Sequence, residues 1–365
     1  MSSSAITALR DTWVRPEIRQ LSSYHVASAE GMIKLDAMEN PCRWPAAMVA
    51  EWQAQLVDVA INRYPDPAAT LLNLELRQSL KLSEGQSLIL GNGSDELIQL
   101  LALLVAAPGR TLLAPEPGFV MYRMIASFVG LNYIGVPLQA DFSLNLPAML
   151  EAIDTQQPAL IFLAYPNNPT GNLFNDSDIE AIIQHAPGLV VLDEAYHPFA
   201  QQSWVNRLGD YPNLLLMRTL SKLGLAGLRV GLLAGDDGWI HELDKLRLPY
   251  NINVLSQITA RFALQHQALF DAQTAMLREE RSQLQAALTE IHGLTPYPSA
   301  ANFILCRTAP DQATPLFNHL KAAKILIKNL SPAGGLLSDC LRITVGLPEE
   351  NLALLQAIRS FRFNA

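Results

Sequence analysis

The chain has 365 residues, half of them hydrophobic, and a formal net charge of −8. That length and apolar content suffice for a large core and suggest one big domain with a smaller one attached. An acidic chain with no long basic run argues against nucleic acid as a partner, and its longest apolar run, 100–107, is too short to cross a bilayer.

Cys42, Cys306 and Cys340 are far apart, form no C-x-x-C pair, and accompany seven histidines without metal-ligand spacing. This pattern argues against disulfides and structural zinc, predicts no metal site, and fits a reducing cytoplasm. The N-terminus has no basic segment followed by an apolar core, so it does not read as a signal peptide. A soluble cytoplasmic protein is expected.

Residues 1–40 read as an arm that contains Pro16 and ends in a short strand, MIKLDA. Residues 44–60 are helix-like. Asp66-Pro67 predicts a helix start, an N-cap with proline at the first helical position, and Leu71, Leu72, Leu76 and Leu80 continue at helical spacing. From Ser87 short all-apolar strands alternate with helices: SLILGN, TLLAPEP, LNYIGVPL, ALIFLAY, LVVLDEAY, LLLMRTLSK and VGLLAG are the strands. That alternation indicates an α/β fold with a mostly parallel seven-stranded sheet buried on both faces. Pro249-Tyr250-Asn251 breaks the rhythm. Two helices follow, the second with Leu277, Leu284, Leu288 and Ile291 on one face. Then come three strands (ANFILCR, KILIKNL, CLRITVG) and a closing helix with Leu355, Ile358 and Phe361 inward. This tail reads as a smaller α+β domain. The expected division is a large domain at 41–264 and a small one built from 1–40 and 265–365.

Ligands of such sheets sit at the carboxyl ends of the strands, and the polar residues gather there: Gly91–Glu96, Tyr165–Gly171, Asp193–Tyr196 and Thr219–Lys222. Lys222 follows the hydroxyls of Thr219 and Ser221 and precedes Arg229. A phosphate wants hydroxyls, backbone amides and an arginine; a nucleophilic lysine wants burial or a nearby cation. Asp193 ends a buried strand, where a carboxylate must be paired. Gly91, Gly93 and Ser94 directly precede a helix, an arrangement that binds anions through N-terminal amides. Asp95 and Glu96 suit the helix dipole but repel a phosphate unless they point away. Taken singly, each feature is also ordinary: a solvated Ser-Lys turn, an aspartate bonded to backbone, a plain N-P-T-G turn, core aromatics at Phe119 and Tyr122, a surface arginine at 342. Taken together, a lysine, an aspartate, a phenol (Tyr196), an amide (Asn168) and a phosphate cradle are what pyridoxal phosphate requires of a protein. A non-catalytic nucleotide-binding α/β protein is the contrasting class, but G-x-G at 91–93 lacks a third glycine and no Walker lysine follows.

KLDAMENP, NRYPDP, GNGSDE, YPNNPTGN, LDEAY, RTLSKLGLAGLRVG, ANFILCR and CLRITVGLPEEN occur in that order along nearly the whole chain. In them the chain resembles the fold type I pyridoxal-phosphate-dependent aminotransferases, and within these the histidinol-phosphate aminotransferase family. The resemblance implies transamination between L-histidinol phosphate with 2-oxoglutarate and imidazole-acetol phosphate with L-glutamate. It also implies a homodimer with active sites at the subunit boundary. Lys222, Asp193 and Tyr196 are implied as catalytic. Ser94, Asp95, Glu96, Phe119, Asn168, Asp193, Tyr196, Thr219, Ser221, Lys222 and Arg229 are implied to bind the cofactor, with Tyr64 reaching the partner's phosphate. Tyr24, Tyr64, Asn168, Lys328 and Arg342 are implied to bind substrate, Arg342 at its anionic end. Three departures stand out. The stretch from Lys222 to Arg229 is one residue shorter than the common form, Lys328 stands where an arginine is frequent, and Leu347 replaces a usual polar residue. A threonine-phosphate decarboxylase or an aromatic amino-acid aminotransferase of the same fold are the alternative activities.

Overall fold

The structure, a computed structural model, describes residues 3–23 and 26–363. The chain enters through a helix, Ser3–Trp13, in the expected arm, and reaches a two-residue strand, β1 (Ile33–Lys34), within MIKLDA. The apolar runs then form β2 (Gln86–Asn92), β3 (Thr111–Glu116), β4 (Asn132–Pro137), β5 (Leu160–Ala164), β6 (Leu189–Asp193), β7 (Leu214–Thr219) and β8 (Val230–Asp236). They assemble into one seven-stranded sheet in the order β2-β8-β7-β6-β5-β3-β4. Every neighbouring pair is parallel except those of β8, which runs antiparallel to both β2 and β7.

The unbroken apolar composition of the central strands follows from burial on both faces. Side chains alternate across a strand. Ile161 and Leu163 of β5, Val190 and Leu192 of β6, and Leu214 and Leu216 of β7 join one core. Leu160 and Phe162, Leu189 and Val191, and Leu215 and Met217 join the other. The first core is closed by helices Thr70–Leu80, Leu146–Gln156 and Asp176–His185, the second by Ser94–Val105, Val120–Val129 and Asp237–Asp244. Each such side chain stabilises the fold by about 1.5–3 kcal/mol.

The C-terminal part contributes β9 (Leu294–Pro296), β10 (Phe303–Thr308), β11 (Ile325–Leu326), β12 (Lys328–Asn329) and β13 (Cys340–Thr344). The order β12-β13-β10-β9 forms an antiparallel sheet, while β11 pairs in parallel with β1. KILIKNL therefore serves two sheets rather than forming one strand. Leu35, Leu284, Leu288, Leu320, Leu354 and Ile358 share a separate apolar cluster with this region.

The helix expected from Asp66-Pro67 begins later, at Thr70, because Ala69 before it is left-handed (φ 45°). Asp66 instead closes the preceding turn, accepting from the backbone N–H of Ala68 (3.0 Å) and Thr70 (2.7 Å). Leu71, at helical spacing in sequence, is exposed, whereas Leu72, Leu76 and Leu80 are buried.

Because β8 is reversed, its first residues lie at the sheet edge where β5, β6 and β7 end. Thr219 of β7 sits opposite Gly231, and Asn92 of β2 opposite Val230. Arg229 is thereby brought beside the turn that opens helix Ser94–Val105. Two glycines permit this approach. A Cβ on Gly231 would lie 2.7 Å from the Ser94 nitrogen, and one on Gly93 (φ 82°) 2.5 Å from the Arg229 guanidinium.

Candidate active site

A cavity of about 110 Å³ opens at this edge, lined among others by Ser94, Phe119, Asn168, Asp193, Lys222 and Arg229. A larger cleft of about 440 Å³, between Pro67–Ala69 and His241, gathers no comparable set of reactive groups.

Lys222 lies in a short 3-10 turn, Ser221–Leu223, directly after β7. The shortened loop is completed by Gly224 (φ 119°) and a second 3-10 turn, Ala226–Leu228. The Lys222 amine donates to the Ala37 carbonyl at 3.2 Å and sits 5.7 Å from the centre of the Tyr196 ring. Burial, with the Arg342 charge second, lowers its pKa to about 8, so free amine is present at neutral pH.

Asp193 ends β6 and is 3 % exposed. Its Oδ2 accepts from the Tyr122 hydroxyl at 2.7 Å and its Oδ1 from the Ala195 N–H at 3.1 Å. Burial nevertheless outweighs these donors and pushes its pKa up to about 6. Among the described residues no cation offsets the burial of this carboxylate; a protonated ring nitrogen would supply one.

Asn168 joins two further groups. Its amide donates to the Tyr196 hydroxyl (3.0 Å), and its carbonyl accepts from the Arg342 guanidinium (2.5 Å). Arg342, on β13, also donates to the Asp36 carbonyl (3.1 Å) and lies over the Phe303 ring. Thr219 donates to the Ser221 hydroxyl at 2.9 Å, and the Ser221 N–H returns a bond to Thr219 at 3.1 Å. Arg229 pairs with Asp95 at 3.2 Å across a half-exposed gap. Such a pair is weak, which leaves the guanidinium available to an anion.

The remaining candidates lie elsewhere. Glu96 turns away from the cavity, where its carboxylate accepts from the Asn92 N–H (2.6 Å) and the Asn251 amide (2.8 Å). It closes its own helix end, which removes one of the two expected repulsions toward a phosphate. Tyr64 is 80 % exposed and stacks on Tyr250 with ring centres 4.4 Å apart, outside the cavity lining. Lys328 sits opposite Arg342 in the β12–β13 register, hence on the same face of the small sheet. Tyr24 lies outside the described residues.

Sequence reasoning did not find the Tyr122–Asp193 bond, which spans 71 positions. It also did not find the buried ion pair behind the site. Glu194, fully buried, takes Arg218 at 2.8 Å and the Trp204 N–H at 2.6 Å. Neither contact leaves a local pattern in the chain.

The donor set fits pyridoxal phosphate. The amine can condense with an aldehyde, the buried carboxylate needs a cationic partner, and hydroxyls, helix N–H groups and an arginine face one end. Fold and site together define a pyridoxal-phosphate-dependent enzyme of the aminotransferase type. Residues 30–358 match the model of the aminotransferase class I and II family, and the chain belongs to that family. It is 56 % identical to histidinol-phosphate aminotransferase 2 of Nitrosococcus oceani, covering 96 % of this chain and 98 % of that one. It is 54 % identical to histidinol-phosphate aminotransferase of Chromobacterium violaceum, covering 95 % and 97 %. The fold superimposes with a TM-score of 0.84 on histidinol-phosphate aminotransferase from Sinorhizobium meliloti in complex with pyridoxal-5′-phosphate, at 25 % identity over 96 % of this chain and 98 % of that one.

Proposed function

We propose that the protein is a histidinol-phosphate aminotransferase of histidine biosynthesis. It exchanges an amino group between L-histidinol phosphate with 2-oxoglutarate and imidazole-acetol phosphate with L-glutamate. The observation that carries the reaction is the meeting of a half-buried, readily deprotonated Lys222 with a buried Asp193 in one cavity; the substrates follow the relatives.

Bound pyridoxal phosphate supplies an aldehyde that takes up the amino group and a pyridine ring that accepts the electron pair released at the substrate's Cα. Lys222 would hold the cofactor through its amine and, when that amine is free, would take the proton from the substrate's Cα as base and deliver it to the cofactor's C4′ carbon as acid. Asp193 holds the proton on the ring nitrogen. Asn168 and Tyr196 hold the ring oxygen, and Phe119 covers a ring face. Ser94, Asp95 (through its backbone), Thr219, Ser221 and Arg229 hold the phosphate, together with Tyr64 of the partner subunit. Glu96 serves through the helix end it caps. Arg342, with Tyr24 and Lys328, takes the substrate's anionic end; lysine at 328 offers charge without a bidentate fork.

Cofactor-loaded enzyme mixed with L-histidinol phosphate, without a keto acid, is expected to lose its visible absorbance in one turnover. If glutamate or phenylalanine moves the band and histidinol phosphate does not, the substrate assignment falls. Carbon dioxide released from threonine phosphate would establish a decarboxylase instead.

The division into a large unit at 41–264 and a small one from 1–40 with 265–365 is supported by the separate apolar cluster around Leu35 and Ile358. The homodimer is supported by exposed apolar side chains around Tyr64: Val57, Ile61 and Leu248 are each more than 70 % exposed. Mixing Tyr64→Ala and Lys222→Ala subunits under exchange tests it. Half of the dimers are then hybrids with one intact site each, so activity is expected to recover toward about a quarter of native. No recovery would mean that Tyr64 serves its own subunit or none. A cytoplasmic location is supported by three free thiols, two of them buried.

A further inference from the structure

The proposed function gives Asp193 the task of keeping a proton on the cofactor's ring nitrogen, but burial works against a charged carboxylate. Among the described residues one side chain outside the cavity lining offsets this burial. Tyr122 is 1 % exposed, lies outside the cavity lining, and donates its hydroxyl to Asp193 Oδ2 at 2.7 Å. Its ring cannot swing away. Phe162 stacks on one face, with centres 4.5 Å apart and planes 6° apart, and Phe119 meets it edge-on at 5.5 Å. Burial and the Asp193 charge hold the Tyr122 proton firmly, so the phenol stays a donor through the working pH range.

We propose that Tyr122 is a positioning residue that keeps Asp193 ionised and its free lone pairs aimed at the ring nitrogen. The inference rests on the proposed role of Asp193. Among the described residues the Ala195 N–H is the other donor to this carboxylate, while Asp95 and Glu194 both favour its neutral form. Without the phenol hydroxyl, the proton shared between carboxylate and ring nitrogen shifts onto the carboxylate. The ring then loses its positive charge and accepts electrons less readily.

The test is Tyr122→Phe, which keeps the stacked ring and removes one oxygen. Holoenzyme is prepared with pyridoxal phosphate labelled with ¹⁵N at the pyridine nitrogen. The native signal is expected in the protonated range, and the variant signal displaced toward the unprotonated one. The single-turnover rate is expected to fall about tenfold, as for loss of a hydrogen bond to a charged group, with the substrate concentration for half-maximal rate unchanged. A native-like nitrogen signal in the variant overturns the proposal and makes Tyr122 a core aromatic. An unprotonated nitrogen in the native enzyme sinks the role of Asp193 itself, and this inference with it. If the variant retains no cofactor, the Asp193 carboxyl carbon is titrated in both cofactor-free proteins. An upward shift in the variant supports the proposal, and coincident curves overturn it.

Discussion

Replacing Lys222 with alanine is expected to abolish the visible absorbance that bound pyridoxal phosphate gives the native enzyme. Amino-group transfer should slow by roughly 10²–10⁴-fold from the loss of proton transfer alone. Alanine removes both the amine that anchors the aldehyde and the base next to Cα. Among the described residues the hydrogen bond lost with it is the one to the Ala37 carbonyl, so the fold should survive, which circular dichroism checks. A second measurement reads the environment rather than the identity of the lysine. Condensation with an aldehyde needs the neutral amine. Burial and Arg342 lower the Lys222 pKa to about 8, so uptake of pyridoxal phosphate by the cofactor-free native protein should accelerate with rising pH and level off above about 8. A solvated lysine would go on gaining until about 10.4. A visible band that persists in Lys222→Ala assigns the anchor to another group. An uptake rate still climbing at pH 10 would mean that the amine is not buried as described.

Much of this site was legible before the fold was known, for a physical reason. In a sheet covered on both faces the middle of each strand is apolar, so the polar residues that follow mark the approach to the strand end. Asp193 after LVVL and Thr219–Lys222 after LLLM were visible on that ground, and the sheet edge brings them together. What stayed hidden depends on direction and distance. Asp95 and Glu96 are adjacent and carry the same charge. One faces Arg229 and the other is drawn back to Asn92 and Asn251, a choice set by helix rotation rather than composition. Tyr122 sits among apolar helical positions and reads as core; its hydroxyl gains meaning only from a strand 71 residues away. KILIKNL reads as one strand because Ile325, Leu326 and Ile327 form a largely β-branched apolar run at its centre, yet its two parts pair with β1 and β13 in different sheets. Asp66-Pro67 looked like a helix start, but a local turn claimed the carboxylate first.

Asp193→Asn should expose the tension on which the site runs. Asparagine has the same shape and can still bond to Tyr122 and Ala195, so the cavity is retained. The negative charge is lost, and with it the partner of a protonated ring nitrogen. Breaking a buried pair of this kind costs about 3–5 kcal/mol, so the single-turnover rate should fall by roughly two to three and a half orders of magnitude. Stability should move the other way in the cofactor-free protein. The carboxylate is raised from its ordinary range to about 6 by burial. The folded state therefore binds its proton more tightly than the unfolded chain, and stability declines as pH rises through that range. Above pH 7 the native cofactor-free protein carries this penalty, up to about 3 kcal/mol, and Asp193→Asn does not. Thermal unfolding at pH 8 should thus place the variant above the native protein without cofactor. With cofactor the order should narrow or reverse, because only the native enzyme gains an ion pair on loading. At pH 4 the cofactor-free difference should vanish. A variant that turns over within tenfold of native would show that the loaded site does not need the charge on Asp193, and one that unfolds earlier than native at pH 8 without cofactor would show that the charge is not costly to the empty site.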